Sequence, residues 1–378
     1  MNKNYFAVIV GAGPAGSYLA YKLARNNKPV ALLDKKTFPR YKTCGGGISA
    51  KAAKLLIDAE IDFSSLVQDR INKIIFTKNC LSPVPVSFEQ PIIEMVMRDE
   101  FDDYLRQCAV SAGVDFYPEC TFLQQANSKK GLLIKTSGKT INTIYLVGAD
   151  GANSQVAKSM GQPVKRRKGF AVECELESAR HGQYKGTVIL DHGHIDDGYG
   201  WVFPKKNHLS VGIGSFSPKQ RNYRHHLESF LTSLNLPHEK ILTRGHLIPT
   251  PLQKKVLLHK DFALLVGDAA GLADPMTGEG IYYALKSAEL AAEELMKNKI
   301  SSYSDAVNSQ LMPELRQAKR VAKILYTAPA TVHGLIQKNH NLAKNLAEVV
   351  YGGESYRTLF KGLASQIVKI PWANMSHN

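Results

Sequence analysis

Gly11, Gly13 and Gly16 follow a short apolar run from Tyr5 to Val10 and precede a helical stretch that reaches about Asn26. In that setting the first glycine permits a tight turn, the second lets backbone approach a pyrophosphate, and the third lets helix and sheet pack closely. The unpaired N–H groups and positive dipole end of the helix then face the phosphates. Pro29 to Asp34 is a second buried-strand pattern, and the acid that ends it is placed to accept hydrogen bonds from a ribose. Two more turns of this kind, Gly148-Ala-Asp150-Gly151 and Gly267-Asp268, sit at the ends of strand patterns, where α/β sheets bind ligands. Pro275-Met-Thr-Gly278-Glu-Gly280-Ile281 opens a helix whose free N–H groups can face an electron-rich ring edge.

A second set of residues suits an apolar substrate. In Tyr199-Gly-Trp201-Val-Phe203-Pro204 the tryptophan and phenylalanine alternate with smaller residues, which places both aromatics on one face of a strand, as a cavity wall or as ordinary core. Twelve histidines invite a metal, but His192 and His194, His225 and His226, and His238 lack a coherent carboxylate or cysteine partner pattern, so no metal is assigned. The segment His192 to Asp197 reads as a polar loop ahead of the aromatic strand.

The elements that must position these residues follow from periodicity. Tyr5 to Asp34 is β-α-β with a parallel sheet. Between Ile71 and Met97 short β-like pieces (Lys73 to Thr77, Val84 to Phe88, Ile92 to Met97) are broken by prolines, and Arg98 to Ala112 reads as a helix. Leu132 to Thr136 and Thr140 to Val147 flank a Ser137-Gly138 turn. Strand patterns at Phe170 to Glu177, Thr187 to Leu190, Gly200 to Phe203 and Leu209 to Gly214 are followed by helical spacing of Tyr223, Leu227, Phe230, Leu231 and Leu234, so one helix face covers that sheet. Phe262 to Val266 returns to the first fold, Ile281 to Lys297 is a helix, and from Ser302 onward helical pieces break at Pro313, Pro329, Gly334 and Gly352.

Taken in order, Gly11 to Gly16, Gly148 to Gly151 and Gly267-Asp268 resemble the FAD-binding motifs of the p-hydroxybenzoate hydroxylase fold, and Arg98 is similar to the arginine that supports FAD there. Pro39-Arg40-Tyr-Lys42-Thr-Cys44-Gly45-Gly46-Gly47 resembles the C-x-G-G motif of the geranylgeranyl reductase family, and Tyr199 to Lys205 that family's Y-x-W-x-F-P. Tyr351 to Tyr356 is similar to the end of its helical tail. The resemblance implies an α/β fold: a Rossmann-like FAD-binding domain (1–75, 98–155 and 256–300), an interleaved, mostly antiparallel β substrate domain (76–97 and 156–255) and a C-terminal helical region (301–378). It also implies reduction of C=C bonds in a prenyl chain by hydride from reduced FAD, with NADPH or another carrier as electron donor. The expected cofactor contacts are Gly11, Gly13, Pro14, Ala15, Gly16, Asp34, Lys35, Arg40, Cys44, Gly45, Gly46, Arg98, Asp150, Gly151, Gly267, Asp268, Pro275, Gly278, Gly280 and Ile281. Tyr199, Trp201, Phe203 and Pro204 are expected to meet substrate. Cys44 is the candidate catalytic residue, to relay a proton or position an alkene, with simple packing as its alternative. The rival reading is a flavin-dependent monooxygenase or halogenase, but halogenases carry W-x-W-x-I-P where this chain has Tyr199-Gly-Trp201-Val-Phe203-Pro204.

Composition sets the bounds. With 378 residues, 44% apolar and 21% charged, the chain is an ordinary globular one. Five cysteines without a C-x-x-C pair argue against a disulfide framework and for a reducing cytoplasm. A net charge of +15 suits an anionic membrane surface or phosphorylated molecules. The densest basic run, Lys165 to Lys168, reads as a solvated loop ahead of a strand; no aromatic-interleaved basic surface accompanies it, so nucleic acid is not expected. The N-terminal residues run straight into a strand, and no apolar stretch approaches the roughly 20 residues needed to span a bilayer, so membrane contact is expected to be peripheral.

Overall fold

The computed structural model describes residues 4–128, 131–161, 166–177, 181–237, 241–352 and 354–367; Lys165, His238 and Gly353 lie outside them. Strand Asn4–Val10 is apolar at nearly every position because it is central and covered on both faces. It pairs in parallel with Val30–Leu33 on one side and Thr140–Gly148 on the other. The main order is His259–Lys260, Ala263–Leu265, Thr140–Gly148, Asn4–Val10, Val30–Leu33, Asp115–Tyr117. Gly131–Thr136 folds back on Thr140–Gly148 and carries Phe122–Ser128 beyond it. The pairing Leu146↔Ala263 closes the sheet with a segment more than a hundred residues later, so the chain leaves this unit and returns.

The residues in between build a seven-stranded sheet, ordered Arg244–Pro251, Arg166–Glu177, His208–Ser215, Gly198–Pro204, Thr187–His192, Lys73–Lys78, Leu81–Ser87. All its pairs are antiparallel except Thr187–His192 with Lys73–Lys78. Leu227, Phe230 and Leu231 of helix Tyr223–Ser233 pack on one face. Ala318, Val321, Leu325, Val332 and Ile336 of the C-terminal helices pack on the other. A small sheet of Gly47–Ser49, Ile93–Val96 and Val67–Ile71 joins the two units.

Several expectations need correction. The strand expected from Phe170 already begins at Arg166, because Arg244–Pro251 pairs with it from Arg166↔Pro251 onward; the described part of the basic run is strand rather than loop. Lys73–Lys78 pairs wholly within the second sheet, so the boundary drawn at residue 75 cuts a strand, while Val156, Ala157 and Met160 pack in the first core. Pro83 and Pro85 do not interrupt their strand, which begins at Leu81, because it lies at the sheet edge where a missing N–H costs no ladder bond. Pro313 lies in the first turn of helix Met312–Thr327, and Gly334 lies inside helix Pro329–Lys338 with open space around it. No helix among the described residues is long and apolar enough to cross a membrane.

Candidate active site

The glycine turn is shaped by contacts that exclude side chains. Gly11 has φ +105°, and a Cβ there would lie 2.4 Å from the Ala149 carbonyl oxygen; at Gly16 it would lie 1.8 Å from the Gly11 oxygen. Gly13 differs. It is the extended residue before helix Pro14–Ala24, and a Cβ would meet only the Arg40 guanidinium, at 3.6 Å. Its open side faces a cavity of about 590 Å³ whose wall is shared by both large sheets. Asp34 holds the turn: its Oδ2 accepts from the Ala12 amide at 2.8 Å and its Oδ1 from the Lys36 amide at 2.9 Å. Each oxygen keeps a lone pair for a ribose hydroxyl.

The cavity wall collects Gly11, Gly13, Pro14, Ala15, Asp34, Lys35, Arg40, Cys44, Gly45, Gly46, Arg98, Asp150, Gly151, Asp268, Gly278, Gly280 and Ile281, with Tyr199, Trp201 and Phe203. Gly16, Gly267, Pro275 and Pro204 are not on that wall. Gly16 packs beneath Gly11, and the Gly267 N–H, at φ +57°, donates to Ser287 Oγ at 2.9 Å. Pro204 is buried at the strand end, and Pro275 follows Asp274, a buried acid whose Oδ1 accepts the Met276 and Thr277 amides at 2.7 and 3.0 Å.

Charge is concentrated beneath the cavity. Asp102, fully buried, accepts from Arg98 Nε and Nη2, both at 2.9 Å, and pairs with Arg40 Nη1 at 3.2 Å. Burial acts against the Arg98 charge, but Asp102 and the Cys44 side chain more than offset it and hold its pKa raised. Burial likewise opposes ionisation of Asp268, yet His246, Lys42 and Arg98 keep its carboxyl below the usual value. Asp150 uses Oδ2 to accept the Gln155 and Val156 amides at 2.6 and 3.3 Å, while its Oδ1 is buried with no hydrogen-bond partner among the described residues.

The Cys44 turn is held from the second sheet. Glu173 Oε1 accepts the Cys44 amide at 2.7 Å and the Tyr41 hydroxyl at 3.2 Å. Lys205 Nζ donates to the Gly45 and Val96 carbonyls, each at 2.7 Å. Cys44 Sγ accepts the Gly46 amide at 3.4 Å. A Cβ on Gly45 would lie 2.5 Å from Phe203 Cδ2, and one on Gly212 would lie 2.1 Å from Trp201 Cζ2. Backbone without side chains is therefore what lets both aromatics lie flat. Tyr199, Trp201 and Phe203 form a row with ring centroids 6.1 and 6.2 Å apart, and Trp201 Nε1 is buried without a partner among the described residues. Tyr351 from the C-terminal region also reaches the wall, and the Tyr199 hydroxyl donates to the Thr277 carbonyl.

Sequence reasoning missed Glu173, Lys205 and Lys42. Lys42 and Lys205 lay inside the two quoted motifs. Glu173 shares a strand face with Ala171 and Glu175, a pattern that suggests solvent, but Ala171 and Glu173 here line the cavity. Burial pushes both lysines down to about 8 and raises the Glu173 carboxyl.

These residues fit FAD: a side-chain-free pyrophosphate turn, an acid for a ribose, an orphaned Asp150 oxygen, and a broad cavity beyond. Residues 5–180 match the FAD binding domain family. Geranylgeranyl diphosphate reductase of Rhodobacter capsulatus is 32% identical over 309 residues, 77% of this chain and 75% of that one. A geranylgeranyl bacteriochlorophyll reductase-like protein of Thermoplasma acidophilum shares the fold, with TM-score 0.73 and 20% identity over 99% of this chain and 94% of that one. The flavin-dependent brominase Bmp2 shares it too, at TM-score 0.75 and 16% identity over 97% and 100%, so the fold alone does not separate reduction from halogenation. Fold and site together define an FAD-dependent oxidoreductase. Within that class the chain belongs to the geranylgeranyl reductase family.

Proposed function

We propose that this enzyme reduces isolated C=C bonds of a prenyl chain. The observation that carries the reading is the packing of Phe203 against Gly45, which makes the aromatic wall and the Cys44 turn one surface of the cavity. Bound and reduced, FAD supplies the hydride. Isolated double bonds are poorly electrophilic, so the chain's own part is to hold the alkene still, exclude water and deliver a proton. Trp201 and Phe203 give the alkene a dry face. Cys44 Sγ holds the proton that goes to the second alkene carbon, with Arg98 beside the sulfur to balance the charge left behind. Glu173 and Lys205 fix the turn that aims the thiol.

A panel of prenylated lipids, quinones and diphosphates mixed anaerobically with the dithionite-reduced protein tests this. Reoxidation of the flavin with a product two mass units heavier per bond is expected. A flavin that stays reduced until air is admitted, and then yields an oxygenated or halogenated product, would replace this reading with the monooxygenase class. Cys44→Ala should keep FAD and lose most turnover; unchanged turnover returns Cys44 to packing. We also propose peripheral contact with anionic lipid, supported by the +15 charge; failure to sediment with anionic vesicles at any salt concentration removes it.

A further inference from the structure

We propose that the loop 252–258 and the basic face of helix Met312–Thr327 together form the surface by which this protein docks on an anionic lipid bilayer. The partner is that of the peripheral contact proposed above, on which this assignment rests; the docking face is new and independent of prenyl reduction. Leu252 and Leu257 of the loop are 48% and 56% exposed, and Lys254 and Lys255 between them are exposed as well. No acidic residue occurs from Leu242 to Lys260.

A single exposed leucine means little, but this loop is held in shape with its leucines outside. Asn308 clamps Val256, its Oδ1 accepting the Val256 amide and its Nδ2 donating to the Val256 carbonyl, both at 2.8 Å. Ser304 Oγ accepts the Leu258 amide at 2.8 Å, and Arg316 Nη1 donates to the Lys254 carbonyl at 2.9 Å. Val256 and Leu258 are buried, and Leu257 between them is left in solvent. A loop already ordered in this way loses little freedom when it docks.

The charge beside it is one-sided. Arg316, Lys319, Arg320 and Lys323 recur at three- and four-residue spacing, which puts them on one stripe of the helix, away from the buried Leu315, Ala318, Val321 and Leu325. Arg316 joins that stripe to the loop. Neither these four nor Lys254 and Lys255 have an ion pair among the described residues. The helix's own acid, Glu314, is occupied in accepting the Tyr356 amide at 3.0 Å. Strand register brings a third basic segment alongside: Arg166, Arg167 and Lys168 pair with Pro251, Thr250 and Pro249, immediately before the loop.

Uncompensated cations around exposed aliphatic side chains suit phosphate headgroups above acyl chains. Nucleic acid is matched less well, because neither the loop nor the stripe holds an aromatic side chain on which a base could stack. Strand Arg244–Pro251 lines the cavity through His246, Leu247 and Ile248 and runs straight into the loop, so docking sets the end of a cavity-wall strand against the bilayer.

The test sediments the full-length, FAD-loaded protein with phosphatidylcholine vesicles that contain or lack phosphatidylglycerol, at rising salt. Wild type should bind only the anionic vesicles and be released as salt rises. Lys254→Gln combined with Lys255→Gln should weaken binding about thirtyfold, roughly fivefold per charge. Leu252→Asn combined with Leu257→Asn should weaken it about tenfold or more and leave its salt dependence in place. Lys135→Gln combined with Lys206→Gln removes the same charge from exposed positions elsewhere and should cost less than about threefold. Unchanged flavin absorbance and thermal midpoint show that each variant is folded. A control pair as costly as the loop pair, or a leucine pair that binds like wild type, overturns this surface and leaves peripheral contact standing. Wild type that never sediments removes the contact and the surface together. Single-stranded RNA held more tightly than the vesicles, with the leucine variants unimpaired, would give the surface to nucleic acid instead.

Discussion

The two ends of the cavity are built by different means. At the phosphate end the working parts are backbone: Gly11 and Gly16 sit where any Cβ would strike main-chain oxygen, and Asp34 spends one lone pair on each oxygen to hold that backbone in place. At the ring end the working parts are side chains from three distant stretches, with Cys44, Glu173, and Trp201 together with Lys205 meeting around a single turn. A backbone site tolerates almost no addition of atoms. A side-chain site tolerates change at each member but depends on every partner being present.

The largest expected effect breaks the first end. Gly16→Val places its Cβ within 1.8 Å of the Gly11 oxygen, a main-chain atom that cannot move aside. It should cost about 3 kcal/mol or more of stability and abolish FAD binding. Gly13→Ala, whose Cβ meets only the flexible Arg40 end at 3.6 Å, should fold normally and lose FAD affinity alone. Thermal unfolding and flavin titration of both variants check this; equal behaviour would mean that the turn is not read by backbone geometry.

At the ring end, Gly45→Ala should retain FAD and lose about a hundredfold in turnover, the scale of a displacement near 1 Å at a reacting centre. Its Cβ strikes Phe203 at 2.5 Å, a side chain that can give way. Adding Phe203→Leu should restore a good part of the rate by making room. A double variant no faster than the single one would show that Gly45 serves the backbone, as Gly16 does, and the contrast between the two ends would collapse.

This contrast also explains what was legible in the sequence. Glycines that answer to their own neighbours, such as Gly11 and Gly16, reveal themselves by spacing, because a strand, a turn and a helix within thirty residues impose it. Trp201 and Phe203 were readable as one face of a strand, but only the fold shows Gly45 and Gly212 as the reason they lie flat. Glu173 was invisible for a definite reason: alternation tells which residues share a face, not whether that face meets water or a second unit. Proline was over-read as a breaker at Pro83 and Pro85 because position at a sheet edge is a tertiary fact.

The smallest expected effect concerns Glu173, and it is separable by pH. Burial raises its carboxyl above the ordinary 4.5, so over the interval above that value the native state keeps a proton that the unfolded chain has released. Stability must then fall as pH rises through that interval, since fewer protons are bound in the unfolded state. Lys205 carries the opposite sign in a different range. Pushed down to about 8 from 10.5, it loses its proton in the native state first, and stability rises with pH between those values. Glu173→Gln keeps an oxygen to accept the Cys44 amide and the Tyr41 hydroxyl but cannot ionise. Relative to wild type it should be neutral below about pH 4.5 and then gain stability as neutrality is approached, leaving the Lys205 rise above pH 8 in place. Denaturant midpoints across that range measure the difference. Parallel curves for the two proteins would mean that Glu173 ionises in the fold as freely as in the open chain.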